Sequence, residues 1–333
     1  MSYSSALSPI INSYQALLRP IPAFAWLGFP LTTLDLGATV RLCLVMRQIR
    51  EANLVAHVKK RQVTSGSSNA KDNGVEERSI VRDLTATLIV VYGGEAITAP
   101  LLNQTPSFMI SGTVPLLYTL TQAVVEYLPN SLLPVFNFQS ELPLAAFDAL
   151  TRAFLLCNLI PPMVVASASS AVSTSPWTLL ITSLITANTG FFVLNSLSFL
   201  QPGPLSLTTP AELLPYGWST TDLWCAPLIT GLYALLTHAQ PFWAEAHAIL
   251  AGLLGSIPED PTTTEKSPGV QPLDAETARA VCAAVLGVMF VARAVKNYGG
   301  GYRRSWQSKR NVKVISRHGK SRSVNSVGKI KVQ

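Results

Sequence analysis

Apolar residues in this chain come in long blocks, not in the short alternations of half-buried strands or amphipathic helices. Seven blocks stand out, at residues 24–46, 80–104, 107–128, 142–165, 177–200, 223–239 and 277–295. Each lies near the roughly 20 residues that a helix needs to cross a bilayer. Prolines and polar turns punctuate them: Pro20 and Pro22, residues 103–106, Pro129-Asn130 with Pro134, the small-residue stretch 166–175, Pro202 with Pro204, and the linker 258–272. The pattern predicts an all-α polytopic membrane protein. Its seven transmembrane helices occupy residues 24–298, after a lead-in at 1–23 and before a tail at 299–333. Residues 241–256 are expected to extend the sixth span as a lumenal or interfacial helix. No cleavable leader is read in residues 1–20, so the first span is expected to act as its own insertion signal.

Composition agrees. Of 333 residues, 48% are hydrophobic and 13% charged, against about 25% charged in soluble domains. Charge then orients the spans. Residues 47–82 hold eight Lys/Arg and residues 303–333 hold ten with no acid, while Arg152 is the only Lys/Arg between Asp83 and Glu265. Cytoplasmic loops collect Lys/Arg. Six spans separate the two basic segments, so both are expected on the cytosolic side. The lead-in and the linker 257–276 are then lumenal. The centre of the first basic segment, residues 64–74, reads as a linker. A basic tail beside a membrane predicts contact with anionic lipids, not nucleic acid.

Catalytic chemistry finds little support. His57, His238, His247 and His318 are dispersed, and no nucleophile-elbow, P-loop or dinucleotide fingerprint occurs. Cys43, Cys157, Cys225 and Cys282 lie in apolar stretches without metal-ligand spacing and read as buried thiols. The expectation is no enzyme, no metal and no cofactor.

Polar groups inside the blocks carry the candidate function. Gly93, Gly94 and Glu95 interrupt the second block, and Asn188, Thr189 and Gly190 interrupt the fifth. Glycines loosen a helix, and broken helices at membrane depth face protein or water. Glu95 has no evident cationic partner in the sequence. Two readings stay open: a water-filled path lined by these residues, or a Gly–Gly packing notch with Glu95 reaching the interface. Asp148 and Arg152 are four apart and are expected to pair on one helix face. Asp35 and Arg41 are six apart and are expected to face different neighbours.

The order of these features resembles the trimeric intracellular cation (TRIC) channels. Phe29-Pro30, Asp35-Leu36 and Leu44-Val45-Met46 are similar to that family's first-span segment. Val91-Tyr92-Gly93-Gly94, Leu101-Leu102, Pro106, Tyr118 and Leu120 resemble its second- and third-span pattern, and Trp177, Gly190 and Gly203 fall at its fifth-span spacing. The resemblance covers about residues 24–297. It implies spans one to three and four to six as inverted three-helix repeats, a seventh helix, and a homotrimer conducting K+ or other monovalent cations. The setting it implies is an endoplasmic reticulum or nuclear envelope membrane. The family binds a phosphoinositide through a basic fourth-span motif. Here Arg152 matches one basic position, Asp148 and Leu155 stand at the other two, Ala149 stands at the motif's acidic position, and Ala187 replaces a fifth-span lysine. Gly93, Gly94, Glu95, Asn188, Thr189 and Gly190 are the pore candidates, and Arg152 is the lipid-binding candidate. The alternatives are a secondary transporter built on the same broken helices, and a non-conducting membrane interaction protein.

Overall fold

The computed structural model describes residues 3–27, 30–64, 79–133, 137–215, 217, 220–253 and 270–297. The regular structure among them is helical, apart from an isolated bridge between Pro20 and Thr32. In chain order the helices are α1 (Tyr3–Leu17), α2 (Thr33–Thr64), α3 (Ile80–Leu101), α4 (Ser107–Ile110), α5 (Thr113–Tyr127), α6 (Phe138–Asn158), α7 (Ile160–Val165), α8 (Ser170–Ser173), α9 (Pro176–Ser196), α10 (Thr221–Thr237), α11 (Pro241–Leu253) and α12 (Ala275–Asn297).

Their starts follow from local chemistry. Ser79, Asn137, Ser175 and Asp274 cap α3, α6, α9 and α12, each accepting the backbone N–H three residues on. Such caps satisfy donors that have no partner inside the helix. Pro176 then occupies the first turn of α9, where its missing N–H costs nothing.

Several boundaries differ from the expected ones. The first span does not begin at residue 24. Residues Pro22–Leu27 form a 3-10 turn, and α2 starts only at Thr33, past Pro30. It then runs through residues 47–64, half of the expected cytosolic loop. Residues 65–74 of the expected linker lie outside the described residues, as do 254–269 and the tail. The third block divides into α4 and α5 at Ser111-Gly112. The fourth continues from α6 into α7 with Pro161 and Pro162 in the new first turn. α11 is separated from α10 by a left-handed residue, His238 (φ 55°). Among the described residues, four stretches are long and apolar enough to cross a membrane, by length and composition, where seven are expected: Ile80–Leu101, Phe138–Val165, Pro176–Ser196 and Ala275–Asn297.

Packing sorts the long helices into two groups. α2, α3 and α5 pack together, as do α6, α9 and α10, and the groups meet where α3 crosses α9. The main core lies around the second group and α12, with Ala153, Leu156, Ile229, Leu286 and Phe290 all sealed, and Tyr14 of α1 closing it from outside. All four cysteines are buried and unpaired, as their apolar settings predict. The outer surface keeps apolar side chains such as Leu116, Leu120 and Val124 exposed, as a lipid-facing helix does.

Helix ends gather on two faces. On one, Gln104 after α3 donates to Met163 O of α7 at 2.6 Å, Gln240 donates to Ser173 O and Ser175 O ahead of α9, and Leu273 N bonds Leu236 O of α10. On the other, Arg82 at the start of α3 donates to the carbonyls of Ser198, Phe199, Gln201 and Gly203 beyond α9. α3 and α9 therefore run in opposite directions across the bundle.

Candidate functional site

The candidate site is the crossing of α3 and α9. At about 100° per residue, Asp83, Thr87, Val90, Gly94 and Thr98 share one stripe of α3. On that stripe Gly94 meets the backbone of α9 directly. A Cβ on Gly94 would stand 2.2 Å from Thr186 O, and one on Gly190 would stand 2.5 Å from the Cα of Val90. Both positions demand glycine because only a hydrogen fits between the two backbones. Gly93 sits beside the contact, with room for a Cβ at 3.5 Å from the Gly190 Cα. Beyond the glycines, Thr98 Oγ1 lies 3.1 Å from Thr186 Oγ1 across the crossing and also donates to Gly94 O.

Neither helix breaks here. α3 and α9 are continuous through their glycines, which corrects the expectation of broken helices. The reason is that Gly94 and Gly190 are needed for close approach; a helix tolerates their weak propensity when packing compensates. Asn188 and Thr189 bond back to their own helix, to Leu184 O at 2.9 Å and Ile185 O at 2.8 Å. The structure therefore brings Gly93, Gly94 and Gly190 together, and leaves Asn188 and Thr189 satisfied within α9.

Glu95 is placed differently from its glycines. It lies about 120° round the helix from Asp83 and so faces α4, not α9. The Ser107 N–H donates to Oε1, and the Ser107 hydroxyl donates to Oε2 at 2.8 Å. The carboxylate thus caps the first turn of α4. Tyr92, three residues earlier, packs on Phe108 with ring centroids 5.1 Å apart. The partner that the sequence does not reveal is a backbone donor and a serine, and Glu95 is buried among them.

The ion pairs also connect differently. Asp148 and Arg152 do not pair with each other. Asp148 accepts from Arg41 of α2 at 3.4 Å, with Glu141 3.9 Å from the same guanidinium. Arg152 reaches Asp222 of α10 at 3.1 Å, sharing it with Arg293 of α12, and both arginines lie over the Phe290 ring. Cross-helix partners win because each joins two elements at once. Asp35 instead accepts from Thr32 at the start of α2, so the expected separation of Asp35 from Arg41 holds.

A second polar cluster was not singled out from the sequence. Arg50 of α2 pairs with Asp83 of α3 and Glu126 of α5, the latter at 2.9 Å. Gln122 bridges Glu126 and Thr87 at 2.9 and 3.0 Å. Arg47 donates to Val125 O. The available signal was Gln122 and Glu126, four apart in an otherwise apolar run, where a polar face needs partners on a neighbouring helix. Among the described residues no group of three or more His, Cys, Asp or Glu is placed to hold a metal. No family model, curated protein or solved structure matches this chain.

Proposed function

We propose that the protein is a channel for monovalent cations in an intracellular membrane, in the manner of the TRIC channels it resembles. The observation that carries this reading is the crossing itself. The glycines of the second and fifth spans, which the resemblance sets in corresponding places of two repeats, are the residues on which α3 and α9 meet. Helix elements in corresponding repeat positions are where membrane transport proteins place their pathway. α3 also carries buried oxygens, Thr87, Thr98 and the Arg50-bound Asp83 on the stripe that meets α9 and Glu95 beside α4, and acids and hydroxyls near a path favour cations over anions.

In this arrangement the crossing is closed, since the Gly94 and Thr186 backbones leave no space for an ion. Conduction then requires α3 to slide or turn on α9. Gly93, Gly94 and Gly190 form the constriction in this reading, while Asn188 and Thr189 stand on other faces of α9 and Glu95 holds its charge one residue beyond, beside α4. Seven spans, both basic segments in the cytosol, a homotrimer, and residence in the endoplasmic reticulum or nuclear envelope belong to the same proposal. The pore reading and the transporter alternative both drew on broken helices, and α3 and α9 are continuous. Arg152 as a lipid ligand has to share its guanidinium with Asp222.

The test is current across planar bilayers containing the purified protein, under opposed K+ and Cl− gradients. Unitary currents reversing near the K+ potential are expected, and Glu95→Gln should lower their conductance while keeping the Ser107 contact. Saturable flux without unitary events would favour a transporter. No flux of any kind would leave a non-conducting interaction protein.

A further inference from the structure

The outer cavity between α1 and α12 is independent of the crossing and has a separate chemistry. It has a volume of about 200 Å³ and is lined by Ile11, Tyr14, Gln15, Leu18, Glu276 and Arg279. Arg279 is only 7% exposed. Other interior arginines meet anions or carbonyls: Arg41, Arg50, Arg152 and Arg293 hold carboxylates, and Arg47 and Arg82 hold backbone oxygens. Among the described residues Arg279 meets no carboxylate and no backbone oxygen: it donates to the neutral side-chain amide oxygen of Asn158 at 3.2 Å, and its buried Nε has no partner there. Its remaining neighbours are ring faces, Tyr14 at 4.8 Å and Phe154 at 5.7 Å. A buried charge without a counter-ion is costly, and aromatic faces offset only part of that cost.

We propose that this cavity binds an anionic headgroup, a phosphate or carboxylate, with Arg279 as the binding cation. Gln15 adds a neutral polar group, and Ile11 and Leu18 offer an apolar wall to whatever the anion is attached to. Arg279 lies in the second turn of α12, whose first turn joins the end of α10 through Leu273 and Leu236. The site is therefore near one end of α12, at the rim of the bundle. Glu276, one turn earlier, is exposed and forms no ion pair with Arg279 among the described residues. Its carboxylate stands in the same cavity wall and opposes a second negative charge. That opposition keeps affinity moderate and supplies an independent handle on the site.

The test uses the full-length protein in a neutral detergent with three probes: lysophosphatidic acid, lysophosphatidylcholine and inorganic phosphate. Binding is read by native mass spectrometry and by the thermal unfolding midpoint. Lysophosphatidic acid should bind saturably and raise the midpoint, and lysophosphatidylcholine should not. Arg279→Gln should weaken binding by roughly 10- to 100-fold, as loss of a charge-assisted hydrogen bond does. Glu276→Gln, at an exposed position that leaves the fold intact, should tighten it. A saturable, Arg279-dependent shift with inorganic phosphate alone would assign the site to a soluble anion. Equal binding by Arg279→Gln and wild type, or equal shifts with the zwitterionic lipid, would overturn the proposal. If Arg279→Gln does not fold, unchanged affinity in Glu276→Gln overturns it alone. No binding of either anion by wild type and Glu276→Gln also overturns it.

Discussion

Three adjacent residues of α3 do three different jobs, and substitution separates them. Gly93→Ala places a methyl at ordinary contact distance from Gly190. It should be neutral or stabilise by up to about 1 kcal/mol, the helix-propensity difference between the two residues. Gly94→Ala and Gly190→Ala put a methyl into opposing backbone and should each destabilise by about 1–3 kcal/mol, the usual cost of overpacking. Midpoints of thermal unfolding in detergent check the order. A midpoint for Gly94→Ala at or above that of Gly93→Ala would contradict the close crossing. The packing-notch reading of the glycines was legible in the sequence as one of two options, because paired glycines in apolar helices permit close approach. What the sequence did not disclose is the direction of Glu95. A carboxylate one residue beyond a glycine contact faces 100° away from it, and its partner Ser107 sits on a separate short helix.

At the scale of elements, the boundaries set by caps were readable and the pairings between helices were not. Block positions located α3, α6, α9, α10 and α12 closely, since each is a run of apolar residues with a turn at its ends. α2 was misjudged because residues 47–64 mix charge with helix-forming residues, and polarity alone does not end a helix; in water, that composition continues one. The i, i+4 spacing of Asp148 and Arg152 suggested a pair within α6, yet both point to other helices, Asp148 to α2 and Arg152 to α10. Spacing reports which residues share a face, not what stands opposite. The Arg50–Asp83–Glu126 cluster ties α2, α3 and α5 together in the same way. Glu126→Ala should leave Arg50 and Gln122 with a lost acceptor and destabilise by about 1–3 kcal/mol, the cost of an unmet buried donor, since Asp83 still balances the Arg50 charge. A loss below about 1 kcal/mol, measured by unfolding in detergent, would mean that Asp83 alone holds Arg50.

At the scale of the molecule, two three-helix groups meet chiefly where α3 crosses α9, with α2 also reaching α6, and α11 packs against the end of α10. There His238, in its left-handed turn after α10, places Nε2 2.9 Å from His247 Nδ1 of α11. The two rings, nine residues apart in the sequence, are joined in the structure. Burial, and then the neighbouring His238, hold the His247 imidazole below its ordinary value. Its folded-state affinity for a proton is thus lower than in the unfolded chain. Stability from this pair is complete above the unfolded value of about 6.5. It is lost as pH falls from there through the lower folded value. Unfolding midpoints between pH 8 and pH 5 should decline through this window, and His247→Gln should flatten that part of the decline. An identical profile in the variant would remove the pair as its cause.

One dimension of the bundle has a mechanical meaning. The 32 residues of α2 span about 48 Å at 1.5 Å each, while the hydrocarbon core is about 30 Å thick. In the proposed seven-span channel, even with tilt, its outer turns would stand clear of the bilayer. Arg47, Arg50 and Asn53 fasten the helix to α5, to α3 and to Leu200 beyond α9, and farther along Val55 and Val58 are exposed. In the proposed channel these three residues would serve as the fulcrum of a lever, and a sideways pull on the outer arm would be passed to Arg41, where it meets Asp148 and Glu141 of α6. Force applied outside the membrane would reach the contact between the two helix groups without any ligand entering the bundle.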